Sequence, residues 1–127
     1  MNFIVHQPTN LYGKYKIGKG TTIGAFCDIG GTVGKNCKIQ CHVSIPPLTI
    51  VEDDVFIGPG VRIANDPKMD SNLKGTTIKK GAKIGMGALI QAGITIGENA
   101  KIGMGAVVLH DVFDCEVWAG NPAKLIK

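Results

Sequence analysis

A branched aliphatic residue returns at every sixth position over most of this chain, and few backbones can accommodate that spacing. In Ile84-Gly-Met-Gly-Ala-Leu-Ile-Gln-Ala-Gly-Ile-Thr-Ile-Gly-Glu-Asn-Ala-Lys-Ile-Gly-Met-Gly-Ala-Val-Val108 it falls at 84, 90, 96, 102 and 108. Six is a multiple of the strand repeat of two but not of the helical 3.6, so these side chains share one face only if the backbone is extended. Glycine follows directly at Gly85, Gly97 and Gly103, which places a bend in each unit. Strand and corner in alternation describe a coil.

The register runs through Val5, Leu11, Ile17, Ile23 and Ile29, then from Val33 through Ile39, Ile45, Val51 and Ile57 to Ile63. It resumes from Ile78 to Val108, giving 17 units in all. Hexapeptide periodicity of this length predicts an all-β parallel β-helix. Four residues after the large aliphatic sits a small or β-branched one, as at Cys27, Cys37, Val43, Val55, Val61, Ala82, Ala88, Ala100 and Ala106. Cys27 and Cys37 are therefore expected in the core, whereas Cys41 falls outside the inward columns. The register breaks twice. A spacing of four between Ile29 and Val33 makes Gly30-Gly31-Thr32 a tightened corner, and a spacing of fifteen between Ile63 and Ile78 makes 64–77 an external loop. Loops on rigid scaffolds are where function concentrates.

With 127 residues and no second composition block, one domain is expected, divided into a β-helix over 1–112 and a cap over 113–127. An uncovered last coil would expose strand edges and core side chains, so Phe113, Val117 and Trp118 are assigned to that cap. The charge of +4 is spread along the chain, which speaks against nucleic acid as a partner. Four cysteines without paired metal spacing and no secretory apolar segment predict a cytoplasmic protein. No stretch approaches the roughly 20 apolar residues of a membrane span.

The Ile-Gly-x-x-x-x units, the interrupting polar loop and the ending Trp118-Ala-Gly-Asn-Pro-Ala-Lys124 resemble the hexapeptide-repeat acyltransferases. That resemblance implies a left-handed β-helix with three hexads per triangular coil, hence five to six coils here, and a homotrimer with acetyl-CoA bound between neighbouring copies. The block Val55-Phe-Ile-Gly-Pro-Gly-Val-Arg-Ile-Ala-Asn-Asp-Pro67 is similar to that of N-acetyltransferases acting on nucleotide-linked amino sugars for surface polysaccharide, in particular 3-acetamido sugars. The resemblance implies that Asn65 contacts the amine being acetylated. One departure stands out: where the sugar acetyltransferases commonly carry an acidic residue one coil earlier, this chain has Pro46-Pro47. It also has Asp66 ahead of Pro67 where the xenobiotic and maltose acetyltransferases carry a histidine.

Acyl transfer from a thioester needs an unprotonated nucleophile at the carbonyl, a donor for the developing oxyanion and a route for the proton. Asn65 is suited to accept from the amine, and Asp66 to take a proton or bind a sugar hydroxyl, although Asn-Asp-Pro is also ordinary turn chemistry. His42, outward and just ahead of an inward valine, is placed to face a neighbouring copy as a base. In the family the Gly-Asn-Pro-Ala-Lys turn lies beside the coenzyme, making Lys124 a candidate for a CoA phosphate. The backbone at Gly87, Ala88 and Ala106 is the candidate contact for pantetheine. Acetyl-CoA is thus the expected acyl donor, a nucleotide-linked amino sugar the acceptor, and no metal is called for. The alternatives are O-acetylation of a sugar hydroxyl, which demands a stronger base, and a scaffold without catalysis. A zinc carbonic anhydrase of the same fold would need three converging histidines, and the three present, His6, His42 and His110, are widely spaced.

Overall fold

In the computed structural model, which describes residues 2–127, each aliphatic residue of the six-residue register is the second residue of a two-residue strand. The first coil is β1 (Ile4–Val5), β2 (Asn10–Leu11) and β3 (Lys16–Ile17), and the second is β4 (Thr22–Ile23), β5 (Asp28–Ile29) and β6 (Thr32–Val33). The third is β7 (Lys38–Ile39), β8 (Ser44–Ile45) and β9 (Ile50–Val51), and the fourth β10 (Phe56–Ile57), β11 (Arg62–Ile63) and β12 (Thr77–Ile78). The fifth is β13 (Lys83–Ile84), β14 (Leu89–Ile90) and β15 (Thr95–Ile96). The sixth is β16 (Lys101–Ile102) and β17 (Val107–Val108), closed by Val112, which bridges to Ile96.

Every third strand pairs in parallel with the one beneath it, so the chain winds around three sheets. Sheet A holds β1, β4, β7, β10, β13 and β16; sheet B runs from β2 to β17; sheet C runs from β3 to β15. The architecture is the left-handed parallel β-helix of hexapeptide repeats, with about six turns.

Because register places like over like, Ile23, Ile39, Ile57, Ile84 and Ile102 form one buried column on sheet A. The second inward column holds the small residues, with Ala82, Ala88, Ala100 and Ala106 fully buried. Its polar members other than Thr49 donate upward to the next coil: Thr21 Oγ1 to the Gly34 carbonyl (2.6 Å), Cys27 Sγ to Gln40 (3.2 Å), Cys37 Sγ to Glu52 (3.1 Å) and Thr76 Oγ1 to Gln91 (2.9 Å). Burial pushes the thiols of Cys27 and Cys37 up, which keeps their S–H protons available as donors. Both cysteines are core fillers.

Two boundaries differ from the expectation. Thr76 is already back in the buried column and Thr77 opens β12, so the external loop spans 64–75. The solenoid also continues past 112. Strand β18 (Val117–Gly120) pairs in parallel with β16, and only then does β19 (Ala123–Leu125) turn back against it. Trp118 packs on the core and Ala123 is buried beneath the hairpin, but Phe113, assigned to the cap, is 71% exposed. The corner before β18 turns its ring outward, and Trp118 and Ala123 of the hairpin pack on the core instead.

Ile57 sits mid-column between Ile39 and Ile84. Replacing it with alanine leaves a cavity that neither neighbour can fill without breaking register. The expected cost is about 2–5 kcal/mol, read as a lower urea midpoint with the β-sheet circular dichroism retained at low denaturant.

Candidate active site

The external loop leaves the corner between sheets B and C in the fourth coil, and its conformation follows from a few local hydrogen bonds. The Asp66 carboxylate accepts from the backbone N–H of Asp70 (3.1 Å) and Ser71 (3.0 Å), one on each oxygen. Asp70 in turn accepts from Asn72 N–H (3.0 Å), a bond that lowers the Asp70 pKa. Lys74 N–H closes the base onto the Asn65 carbonyl at 2.8 Å. Asp66 is therefore occupied on both oxygens by the turn that it organises.

Asn65 behaves differently. Its Nδ2 donates to the Pro47 carbonyl one coil below, at 3.1 Å. A carbonyl only accepts, so this bond identifies which end of the carboxamide faces Pro47 and leaves Oδ1 as the free acceptor. The position without an acidic side chain thus still anchors Asn65, through main chain. The far end of the loop rests on the same corner, since a Cβ on Gly75 would collide with the Leu48 carbonyl.

His42 lies at the corner between sheets A and B. It is exposed, with φ 61°, and its ring stacks on Phe26 at 5.2 Å between centroids and 11° between planes. His42 and Asn65 therefore stand at opposite edges of sheet B. Asn65 stands about one coil higher, since Pro47, to which it is tied, belongs to the coil that carries His42. His6 occupies the A–B corner of the first coil and His110 a B–C corner of the last, so the three histidines do not converge.

Above His42 the same corner changes character. Gly60, Gly87 and Gly105 succeed Phe26 and His42, all with positive φ. Since Phe26 and His42 carry side chains in that conformation, backbone strain alone does not demand glycine at the next three. A Cβ on Gly87 or Gly105 would meet nothing within 4 Å. The result is an open, side-chain-free channel up the A–B corner, flanked by the exposed Met86 and Met104.

The N–H of Gly87 is taken by the Pro59 carbonyl (2.9 Å), that of Ala88 by Gly85 (3.3 Å) and that of Ala106 by Gly103 (3.3 Å). These positions offer a ligand close approach of backbone, not free donors, and Ala88 and Ala106 lie behind the surface. At the top, the turn between β18 and β19 reaches the same corner, and the exposed Lys124 stands on β19 opposite Ala119. The channel went unread in the sequence, where its signal was glycine at 60, 87 and 105 in register.

Two family descriptions match the chain: "Bacterial transferase hexapeptide (six repeats)" over residues 75–110 and "Hexapeptide repeat of succinyl-transferase" over 15–45. The chain belongs to the hexapeptide-repeat transferases. Over 90 residues it is 33% identical to the bifunctional protein GlmU of Thermotoga sp. (strain RQ2), a match covering 67% of this chain and 17% of that protein. The chain thus spans a small part of the curated relatives that it matches. Among solved structures it is similar to AntD, an N-acyltransferase from Bacillus cereus in complex with dTDP and 3-hydroxybutyryl-CoA. There the TM-score is 0.91 at 19% identity, over 99% of this chain and 79% of that one. A mutant perosamine N-acetyltransferase from Caulobacter crescentus, in complex with CoA and GDP-perosamine, gives a TM-score of 0.85 at 20% identity, over 100% and 58%.

Replacing Asp66 with alanine frees the amides of Asp70 and Ser71. The expected outcome is protease cleavage within 67–73 of the variant alone, with an unchanged thermal midpoint for the β-helix.

Proposed function

We propose that the protein is an acetyl-CoA-dependent N-acetyltransferase acting on a nucleotide-linked amino sugar of the kind used for surface polysaccharide. The observation that carries this reading is the glycine channel, which begins at His42 and ends at the hairpin bearing Lys124. Four strand spacings of about 4.8 Å separate those ends, roughly 19 Å. That suits a long, narrow ligand with a reactive end at the bottom and an anionic end at the top. Acetyl-CoA has this form, and both solved relatives hold a coenzyme A species.

In the reaction the acceptor nitrogen attacks the thioester carbonyl, the carbon–sulfur bond breaks, and the amine proton ends on the departing thiol. Asn65 Oδ1 accepts a hydrogen bond from the amine and aims its lone pair, its own orientation held by Pro47. His42, with its ring plane set by Phe26, takes the proton and returns it to sulfur. Asp66 holds the loop around the acceptor. Because His42 and Asn65 occupy opposite edges of one sheet, each site takes one residue from each of two copies, as in a closed trimer.

Purified protein is expected to release thiol from acetyl-CoA with amino-sugar nucleotides and not with the matching hydroxyl sugars. Gly87→Phe should raise the KM for acetyl-CoA at least 10-fold while leaving that for the acceptor in place. Equal KM for both enzymes would remove the channel from the coenzyme site.

Asn65→Ala and His42→Ala should each lower kcat by about 100-fold. Co-refolding the two variants should restore activity that neither has alone. Failure to complement would place the site within one copy. An unchanged rate for His42→Ala would remove the histidine, and with it an O-acetyl mechanism that needs a base there.

A further inference from the structure

The tightened corner Gly30-Gly31 does more than break the register. In the first and third coils the B–C corner has four residues between strands, Tyr12 to Tyr15 and Pro46 to Thr49, whereas the second coil has two. The solenoid edge is therefore notched. Its neighbours lean across the gap, because a Cβ on Gly30 would strike the Tyr12 ring at 2.6 Å and Pro47 Cδ at 3.0 Å. What remains open is a cavity of about 580 Å³, within the roughly 300–1,000 Å³ of small-molecule sites.

The walls differ in chemistry. Lys14 and Lys16 stand on the lower side, Leu48 and Ile50 on the upper, and no carboxylate lines the cavity. Thr49, on the upper side with Pro47, also lines the cavity and is 1% exposed, its Oγ1 in the inward column without a hydrogen-bond partner. Its counterpart Thr76 donates to the carbonyl one coil up. At Thr49 the external loop departs at that height, and the hydroxyl is left over.

The roof connects this notch to Asn65. Pro47 lines the cavity and also accepts from Asn65 Nδ2, and Gly75 at the loop's far end lies on Leu48. The notch floor is two strand spacings below Asn65, about 10 Å.

We propose that the notch binds the nucleoside diphosphate of the acceptor, with the diphosphate on Lys14 and Lys16 and the base against Leu48 and Ile50. This rests on the acceptor reading above. Coenzyme A also contains a nucleoside diphosphate, but that part lies a full pantetheine arm from the thioester. The acceptor's diphosphate is bonded directly to the sugar that carries the amine. Lys14 and Lys16 lie three strand spacings below Asn65, about 14 Å, a gap that one sugar ring and the reach of the lysine side chains cover but a pantetheine arm overshoots.

The test is calorimetric titration of the unmodified protein and of the Lys14→Glu/Lys16→Glu variant with UDP, dTDP, GDP, 3′,5′-ADP and acetyl-CoA in turn. The expected result is that one pyrimidine or guanine diphosphate binds the unmodified protein and loses at least 10-fold in affinity in the variant, with acetyl-CoA binding unchanged. A Thr32→Glu variant, which adds a carboxylate to the lining, should weaken the same ligand and serves if the double variant misfolds. Loss of 3′,5′-ADP and acetyl-CoA binding instead would assign the notch to the coenzyme and overturn the proposal. Diphosphate binding that is indifferent to both variants would also overturn it. If no diphosphate binds while acetyl-CoA does and an amine without a nucleotide is acetylated, the notch proposal fails and the acyltransferase reading stands. Absence of acetyl-CoA binding in the unmodified protein would remove that reading itself.

Discussion

The parallel backbone ladder between coils is the constraint on which everything else depends. Strands of two residues bury too little to hold a position alone, and each is kept in place by the strands above and below it. Phe56-Ile57 pairs at once with Lys38-Ile39 and Lys83-Ile84. Once register is set, the inward residue of every coil stacks on its equivalent, and every outward residue is placed at a predictable height and face. A functional group therefore needs no dedicated support. Asn65 stands above Pro47 because eighteen residues carry the chain once around, not because either residue seeks the other.

Deviations from the repeat are consequently local in cause and local in effect. Removing two residues at Gly30-Gly31 leaves β6 paired with both β3 and β9 and opens a notch only at the corner. Inserting nine residues after Ile63 leaves β12 paired with β9 and β15 and raises a loop over that notch. The two irregularities lie on the same B–C edge. The other two edges stay regular, apart from the three consecutive corners of the A–B edge that have lost their side chains.

This explains what could be read from the residues and what could not. The aliphatic register located all of the two-residue strands, since period is a direct statement about backbone conformation. The small column located Cys27 and Cys37 in the core. Phe113 escaped because an aromatic near an expected cap suggests burial, while its actual place is decided by which way one corner turns. Asp66 was read as chemistry or turn, and only the positions of the Asp70 and Ser71 amides show that its oxygens are occupied. Pro47 stood out as a departure in side-chain type, and comparing side chains hid a different contact that it makes, to Asn65. The contact is made by a carbonyl, which every residue possesses.

The same reasoning separates two kinds of glycine in this chain. Gly85 has backbone from the next coil at 2.6 Å from any added Cβ, so that site is closed by packing. Gly87, two residues on, has no neighbour at all, and His42 at the equivalent corner shows that the conformation admits a side chain. A cost of about 1–2 kcal/mol for a left-handed residue is one this fold accepts repeatedly, at Asn36, Asp54 and Asn99 among others. Packing therefore leaves glycine at 60, 87 and 105 unforced, whereas glycine at 85 is demanded by the backbone beneath it. In a protein made of near-identical coils, positions where packing leaves the side chain free and the residue is still absent are where a ligand is best sought.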